Sequence, residues 1–134
     1  MEVVNVEDRK DTKIETFPYK GKKLPVRDVW IRWLSQAGPK DAPDYGLRFF
    51  TMGPQGEIPI HNHFYHQTMY IMSGQIRCMC HDPKTDQVVM ERVVGPNDYI
   101  YVPSMEPHSM VNMSETEKAT FLCCIANVYE DEGL

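Results

Sequence analysis

QTMYIMSGQIRCMC, residues 67 to 80, is two runs of aromatic, β-branched and sulfur-bearing side chains joined at Ser73-Gly74. Such a pair reads as two short strands around a turn. The pattern repeats outward on both sides. DVWIRWL (28 to 34) and YGLRFFTM (45 to 52) precede it, and QVVMERVV (87 to 94), DYIYVP (98 to 103) and ATFLCCIANV (119 to 128) follow. Between the runs lie Gly-Pro-Lys-Asp, Gly-Pro-Gln-Gly, Asp-Pro-Lys-Thr-Asp, Gly-Pro-Asn-Asp and Asn-Met-Ser-Glu, all turn-forming. No stretch sustains apolar residues at i, i+3, i+4 and i+7 over three turns, so a helical fold is excluded. The sequence predicts an all-β domain, an antiparallel sandwich or barrel.

The 134 residues fit one domain. With 42% hydrophobic and 25% charged residues the chain has the composition of an ordinary globular protein, which excludes disorder and collagen-like structure. A net charge of −5 and no dominant basic stretch argue against nucleic acid as a partner; Lys20, Lys22 and Lys23 read as a solvated loop. No run of eighteen apolar residues exists, so no membrane span is expected. The opening MEVVNVEDRK has early acids and no apolar stretch, so no export signal is read and a cytoplasmic location is expected. Four cysteines and nine methionines without an export signal suggest a reducing compartment, and the lack of a C-x-x-C pair speaks against a structural zinc site. The expected organisation is an N-terminal arm with edge strands over 1–44, a barrel over 45–128 and an acidic tail over 129–134.

Three of the five histidines fall within six residues, in Ile60-His61-Asn62-His63-Phe64-Tyr65-His66-Gln67. In a strand, side chains at i and i+2 share a face, so His61 and His63 point together into a barrel, and His66 points away. Two neutral imidazoles on one face suit a divalent metal, whereas two cationic ones would repel. His108, after the strand that ends at Pro103, supplies a third imidazole from a facing strand. His66 and His81 read as surface or interface residues, and Cys78, Cys80 and Cys124 as packing. Glu106 is the one acid nominated near the barrel mouth, and it reads first as a solvated loop residue. No serine stands in a nucleophile-elbow context.

These residues resemble the two motifs of the cupin superfamily. The first is matched by Gly56, His61-Asn62-His63, Gln67 and Gly74, the second by Asn97, Pro103-Ser104-Met105, His108 and Asn112. Gln67 stands where the family usually has Glu, and Asn97 and Met105 where it has Gly. Asn tolerates a left-handed turn, while Met105 implies a different loop. The resemblance implies a double-stranded β-helix, the jelly-roll barrel. A closer resemblance is to small homodimeric manganese cupins of thermophilic bacteria, carried by Asp41-Ala42-Pro43-Asp44, Leu47-Arg48-Phe49-Phe50-Thr51 and Phe121-Leu122-Cys123. Some of those proteins cleave alkenes oxidatively with a peroxide.

The resemblance implies one divalent metal, manganese or iron ahead of zinc or nickel, held by His61, His63, Gln67 and His108 with one or two open positions. A three-histidine site without Gln67 remains the alternative. Gln for Glu removes one negative charge, which favours anionic or chelating ligands. By the same resemblance Phe121 and Cys123 are expected to border the open side with Ile58 opposite, and Tyr101 to belong to the pocket, while each taken singly reads as core. The implied function is an oxygenase-type enzyme on a small enolic, diketone-like or carboxylate substrate. A non-redox Lewis-acid isomerase or lyase is the second reading, because the three-His, one-Gln set also resembles small cupins that linearise unsaturated uronates. Those keep arginine in the pocket, and the faces of Arg48 and Arg77 are not fixed by the sequence. A non-catalytic small-molecule-binding cupin is the third. A homodimer is expected under all three, since Trp30, Trp33 and the edge strands need cover.

Overall fold

The computed structural model describes residues 1–35 and 45–126. The stretch 41–44 used in one resemblance and the expected acidic tail lie outside them. After a single 3-10 turn at Val6–Asp8, the described chain is built of eleven strands: β1 Thr12–Lys13, β2 Thr16–Tyr19, β3 Lys22–Pro25, β4 Arg27–Ser35, β5 Tyr45–His61, β6 Gln67–Ser73, β7 Ile76–His81, β8 Val88–Val94, β9 Tyr99–Val102, β10 His108–Asn112 and β11 Ala119–Ala126. The main sheet runs β8-β7-β10-β5-β11-β6-β9, with β4 also on β5 and β1 on β4; β2 and β3 form a separate hairpin. Every pairing is antiparallel. This is the all-β architecture that the strand pattern predicts, curled in the jelly-roll manner that the resemblance implies.

One strand makes the curl. β5 is 17 residues long and serves both halves of the sheet, pairing with β11 over 45–52 and with β10 over 57–61. The sequence reads Gly53-Pro54-Gln55-Gly56 as a turn; the chain instead bends there and continues as strand, with Gln55 at φ 56°. Asn112 fixes the bend. Its fully buried amide donates to the carbonyls of Met52 and Gly53 at 3.2 and 2.9 Å, and to that of Glu117 at 2.9 Å. At the β6–β7 turn Gly74 has φ +84°, and a Cβ there would lie 2.6 Å from that of Ala119, so no other residue fits.

Burial alternates along β5, with Gly46, Arg48, Phe50 and Met52 inward. The core gathers Val29 and Ile31 of β4, Phe50, Met52 and Ile58 of β5, Met69 and Ile71 of β6, Ile76 of β7, Met110 of β10, and Phe121 and Cys123 of β11. The N-terminal arm belongs to this core, since Ile14, Phe17, Tyr19 and Val26 are all buried. Of the two tryptophans, Trp33 packs against the core while Trp30 is half-buried and donates through Nε1 to Asp28.

Candidate metal centre

His61, the last residue of β5, faces His108, the first of β10, directly across the ladder. A bulge makes this possible: His108 is opposite His61, but Met110 is opposite Ile58, so β5 carries one extra residue. That residue turns His61 inward in place of Ile60. His63 is not on the strand, contrary to the simple alternation argument. It follows the end of β5 in a turn, and its ring is brought back into the barrel by that turn. The β9–β10 loop holds the turn down, for the Met105 amide donates to the His63 carbonyl at 2.8 Å and the Asn62 side chain donates to the Met105 carbonyl at 3.2 Å. Met105 takes the left-handed backbone that favours glycine, φ 68°, as Asn97 does at φ 74°.

All three rings are buried, and their metal-binding atoms lie within 4.8 Å of one another. The Nδ1 atoms settle the tautomer. That of His61 lies 2.9 Å from the Pro59 carbonyl, that of His63 2.8 Å from the Tyr65 carbonyl, and that of His108 2.8 Å from the Glu106 carbonyl. A carbonyl oxygen only accepts, so each neutral ring carries its proton on Nδ1 and leaves a lone pair on Nε2. Backbone carbonyls on the remote nitrogen are the usual outer support of metal-bound histidines. Burial keeps them neutral, helped by His108 beside His61 and His63 and by His81 and Arg48 near His108. It lowers His63 to about 4, with His108 as the next cause, lowers His108 to about 4, and sets His61 well below the ordinary value. Three neutral, pre-oriented imidazoles suit a divalent ion, which small side-chain adjustments bring within reach of all three.

Aromatic neighbours set the ring planes. Phe17, from the N-terminal hairpin, stacks on His61 at 4.6 Å, and Tyr65 stacks on His63 at 4.0 Å. Gln67, first residue of β6, is buried beside the cluster. Its Nε2 lies 3.3 Å from His108 Nε2, where it donates to the lone pair, and its Oε1 faces Arg48 Nη2 at 3.3 Å and Cys123 Sγ at 3.5 Å. Ile58, Phe121 and Cys123 line the same small cavity, which measures about 20 Å³. Burial raises the Cys123 thiol, and the neighbouring Arg48 charge opposes that rise. Tyr101 lies elsewhere. Val102 is the inward residue of β9, so Tyr101 is half-exposed, near His66, on the wall of a wider cleft of about 380 Å³ between β8 and β9. Glu106 also lines that cleft, which meets the small cavity at Met69, His108 and Met110. His66 is exposed, and His81 sits on the β7 side with Nε2 2.8 Å from Ser109 Oγ.

Six cavity residues were not placed there by the sequence: Phe17, Arg48, Phe50, Tyr65, Met69 and Met110. Local pattern alone does not place Arg48. On β5 it has the parity of Phe50 and Met52, and it pairs across the ladder with Cys123 as Phe50 pairs with Phe121.

Comparison with known proteins agrees with this fold. A family model described as the cupin domain matches residues 48–125, and the chain belongs to that family. No curated protein matches it. Among solved structures, it is similar to the polyketide cyclase RemF from Streptomyces resistomycificus, with a TM-score of 0.74 and 23% identity over 95% of this chain and 80% of that one. An RmlC-like cupin from Shewanella frigidimarina matches with TM-score 0.69 and 13% identity, over 98% and 95% of the two chains. An oxalate oxidase matches with TM-score 0.63 and 17% identity over 75% of this chain, which spans 51% of that enzyme. At these identities the likeness is one of fold. Among the described residues no helix is long and apolar enough to cross a membrane.

Proposed function

We propose that this cupin is a metal-dependent enzyme of the oxygenase type, acting on a small chelating substrate, with His61, His63 and His108 as metal ligands and Gln67 as the fourth. The observation that supports it most is the set of three imidazoles whose Nδ1 protons are committed to backbone carbonyls while their Nε2 atoms converge in a buried cavity. A bound divalent ion of manganese or iron would supply Lewis acidity and a site for activating dioxygen or peroxide. The chain's own part is positional. Phe17 and Tyr65 hold two ring planes, the apolar wall of Ile58, Phe50 and Phe121 excludes water, and Gln67 offers a neutral amide that must turn its oxygen toward the imidazoles to ligate.

A non-redox Lewis-acid reaction is the second reading, and a specific observation favours it: Arg48 lines the same cavity as the histidines. A structure of glycolate on oxalate oxidase and one of a polyketide cyclase are among the fold's neighbours, so the fold itself serves both kinds of chemistry. A homodimer is proposed under either reading, supported by the exposed apolar residues Val88, Val89, Met90 and Val93 along the edge strand β8.

Elemental analysis of protein purified without metal supplement tests the site, with His63→Ala and Gln67→Ala beside it. Near-stoichiometric manganese or iron, lost in His63→Ala and weakened in Gln67→Ala, is expected, followed by substrate-dependent oxygen uptake across diketones, hydroxyketones and small carboxylic acids. Turnover retained with zinc and no oxygen uptake moves the assignment to Lewis-acid chemistry. No metal, even after reconstitution, overturns both.

A further inference from the structure

Arg48 has no role in the metal centre as described, yet it is only 2% exposed. Its guanidinium donates from Nη2 to Cys123 Sγ at 2.8 Å and to Gln67 Oε1 at 3.3 Å. The Trp33 and Phe50 rings flank it at 5.6 and 5.1 Å from its central carbon. Its Nε is buried without any hydrogen-bond partner. Among the described residues no carboxylate forms an ion pair with it, although Arg9, Arg27, Arg32 and Arg77 all have one. A buried cation lacking a counter-charge is costly and is not retained for stability alone. Thiol and amide partners neutralise nothing.

The geometry also shows what is missing. The Gln67 amide lies between Arg48 and His108 and touches both, each at 3.3 Å. A carboxylate is planar, has the same forked shape as that amide and carries the absent charge, and it matches the paired donors of a guanidinium. We propose that Arg48 anchors the carboxylate of a small acid substrate, whose adjacent oxygen is thereby held at the histidine cluster. The cavity of about 20 Å³ has room for roughly one water molecule, so even after the Gln67 amide turns from Arg48 toward the imidazoles the acid is short, of the 2-oxo or 2-hydroxy type with few carbons. This names the substrate class of the proposed reaction and rests on that reading for the second attachment point. The carboxylate contact itself needs no metal.

Pyruvate and its uncharged amide, pyruvamide, are suitable probes because they share one shape. In chelator-stripped protein, pyruvate is expected to raise Tm in a saturable way and pyruvamide to leave it unchanged. Arg48→Met is expected to fold with a Tm no lower than wild type and to weaken pyruvate binding, read by calorimetry, at least tenfold. Arg48→Lys, which keeps the charge but loses the fork, is expected to fall between. Equal response to acid and amide in stripped wild-type protein overturns the proposal. So does pyruvate binding unchanged in Arg48→Met, or a Tm that drops in that variant with no acid-over-amide preference in wild type, which would make Arg48 a structural clamp on Cys123. If Arg48→Met does not fold, the wild-type preference and its reduction in Arg48→Lys decide. Absence of metal in the purified protein sinks the oxygenase reading and leaves this test intact.

Discussion

Lowering the pH should unfold the metal-stripped protein well before its carboxylates titrate. His63 and His108 sit at about 4 in the fold against 6.5 for a free imidazole. Below 6.5 the unfolded chain therefore binds protons that the native state refuses, and stability rises with pH across the window from 4 to 6.5. The contribution is complete above 6.5, is lost as the pH falls toward 4, and changes no further below it. Near pH 5.5 each group gives a slope of about 1.2 kcal/mol per pH unit, and by pH 4.5 each has cost about 2.5 kcal/mol. Together that is about 5 kcal/mol, comparable with the whole stability of an ordinary domain. His61 is shifted in the same direction and adds to it. Asp82 and Asp86, lowered by backbone amides and by the Tyr19 hydroxyl respectively, keep their contribution until more acid conditions and do not blur the window. Urea titrations at pH 7.5, 6.5, 5.5 and 4.5, followed by tryptophan fluorescence, should show a midpoint falling by about 1 to 2 M per pH unit below 6.5. Added manganese should raise the midpoint at pH 7.5, with a gain that shrinks as protons compete for the same nitrogens. A midpoint that stays flat from pH 7.5 to 5 would refute the claim that these rings are buried and neutral.

The left-handed backbone at Met105 costs about 1 to 2 kcal/mol for an L-residue, and its side chain is 46% exposed, so it recovers little by burial. Met105→Gly should therefore stabilise by about 0.5 to 1 kcal/mol after the entropy of the freer unfolded chain is subtracted, while Met105→Ala keeps the strain and gains nothing. Thermal melts of the two variants side by side check this. Asn97→Gly should be close to neutral by the same measurement, because relief at φ 74° is offset by loss of the 2.6 Å bond from the Tyr70 hydroxyl. Asn112→Ala strips the buried carbonyls of Met52, Gly53 and Glu117 of their donor and should cost about 3 kcal/mol, measured by denaturant unfolding, with the folded fraction still binding metal.

The strand order of the sheet rests on features that a single sequence expresses unevenly. β4, β6, β7, β8, β9 and β11 were legible because each is a short apolar run bounded by turn residues, and the structure keeps them within a few positions of their expected ends. β5 beyond Met52 was not, since Gly53-Pro54-Gln55-Gly56 is turn chemistry in any local reading. It stays extended because distant partners hold the bend: Asn112, sixty residues away, donates to its carbonyls, and the Ser114 carbonyl accepts from the Gln55 amide. The histidines divide in the same way. His61 and His108 are found from their spacing, but the inward turn of His61 depends on a bulge opposite β10, and His63 reaches the cavity from a turn clamped by Met105. Both are tertiary facts, and simple alternation gives the correct placement of His63 for the wrong reason. Arg48 shows where pattern fails outright. Leu47-Arg48-Phe49-Phe50-Thr51-Met52 puts an aromatic on each face, so parity alone does not say which side is buried. The ladder with β11 decides it by placing Phe50 against Phe121 and Arg48 against Cys123. A charged residue on the buried face breaks the binary pattern that otherwise specifies the barrel, and such breaks concentrate where a protein does chemistry. That the break falls within one amide's length of the histidine cluster is what the proposed anionic ligand rests on.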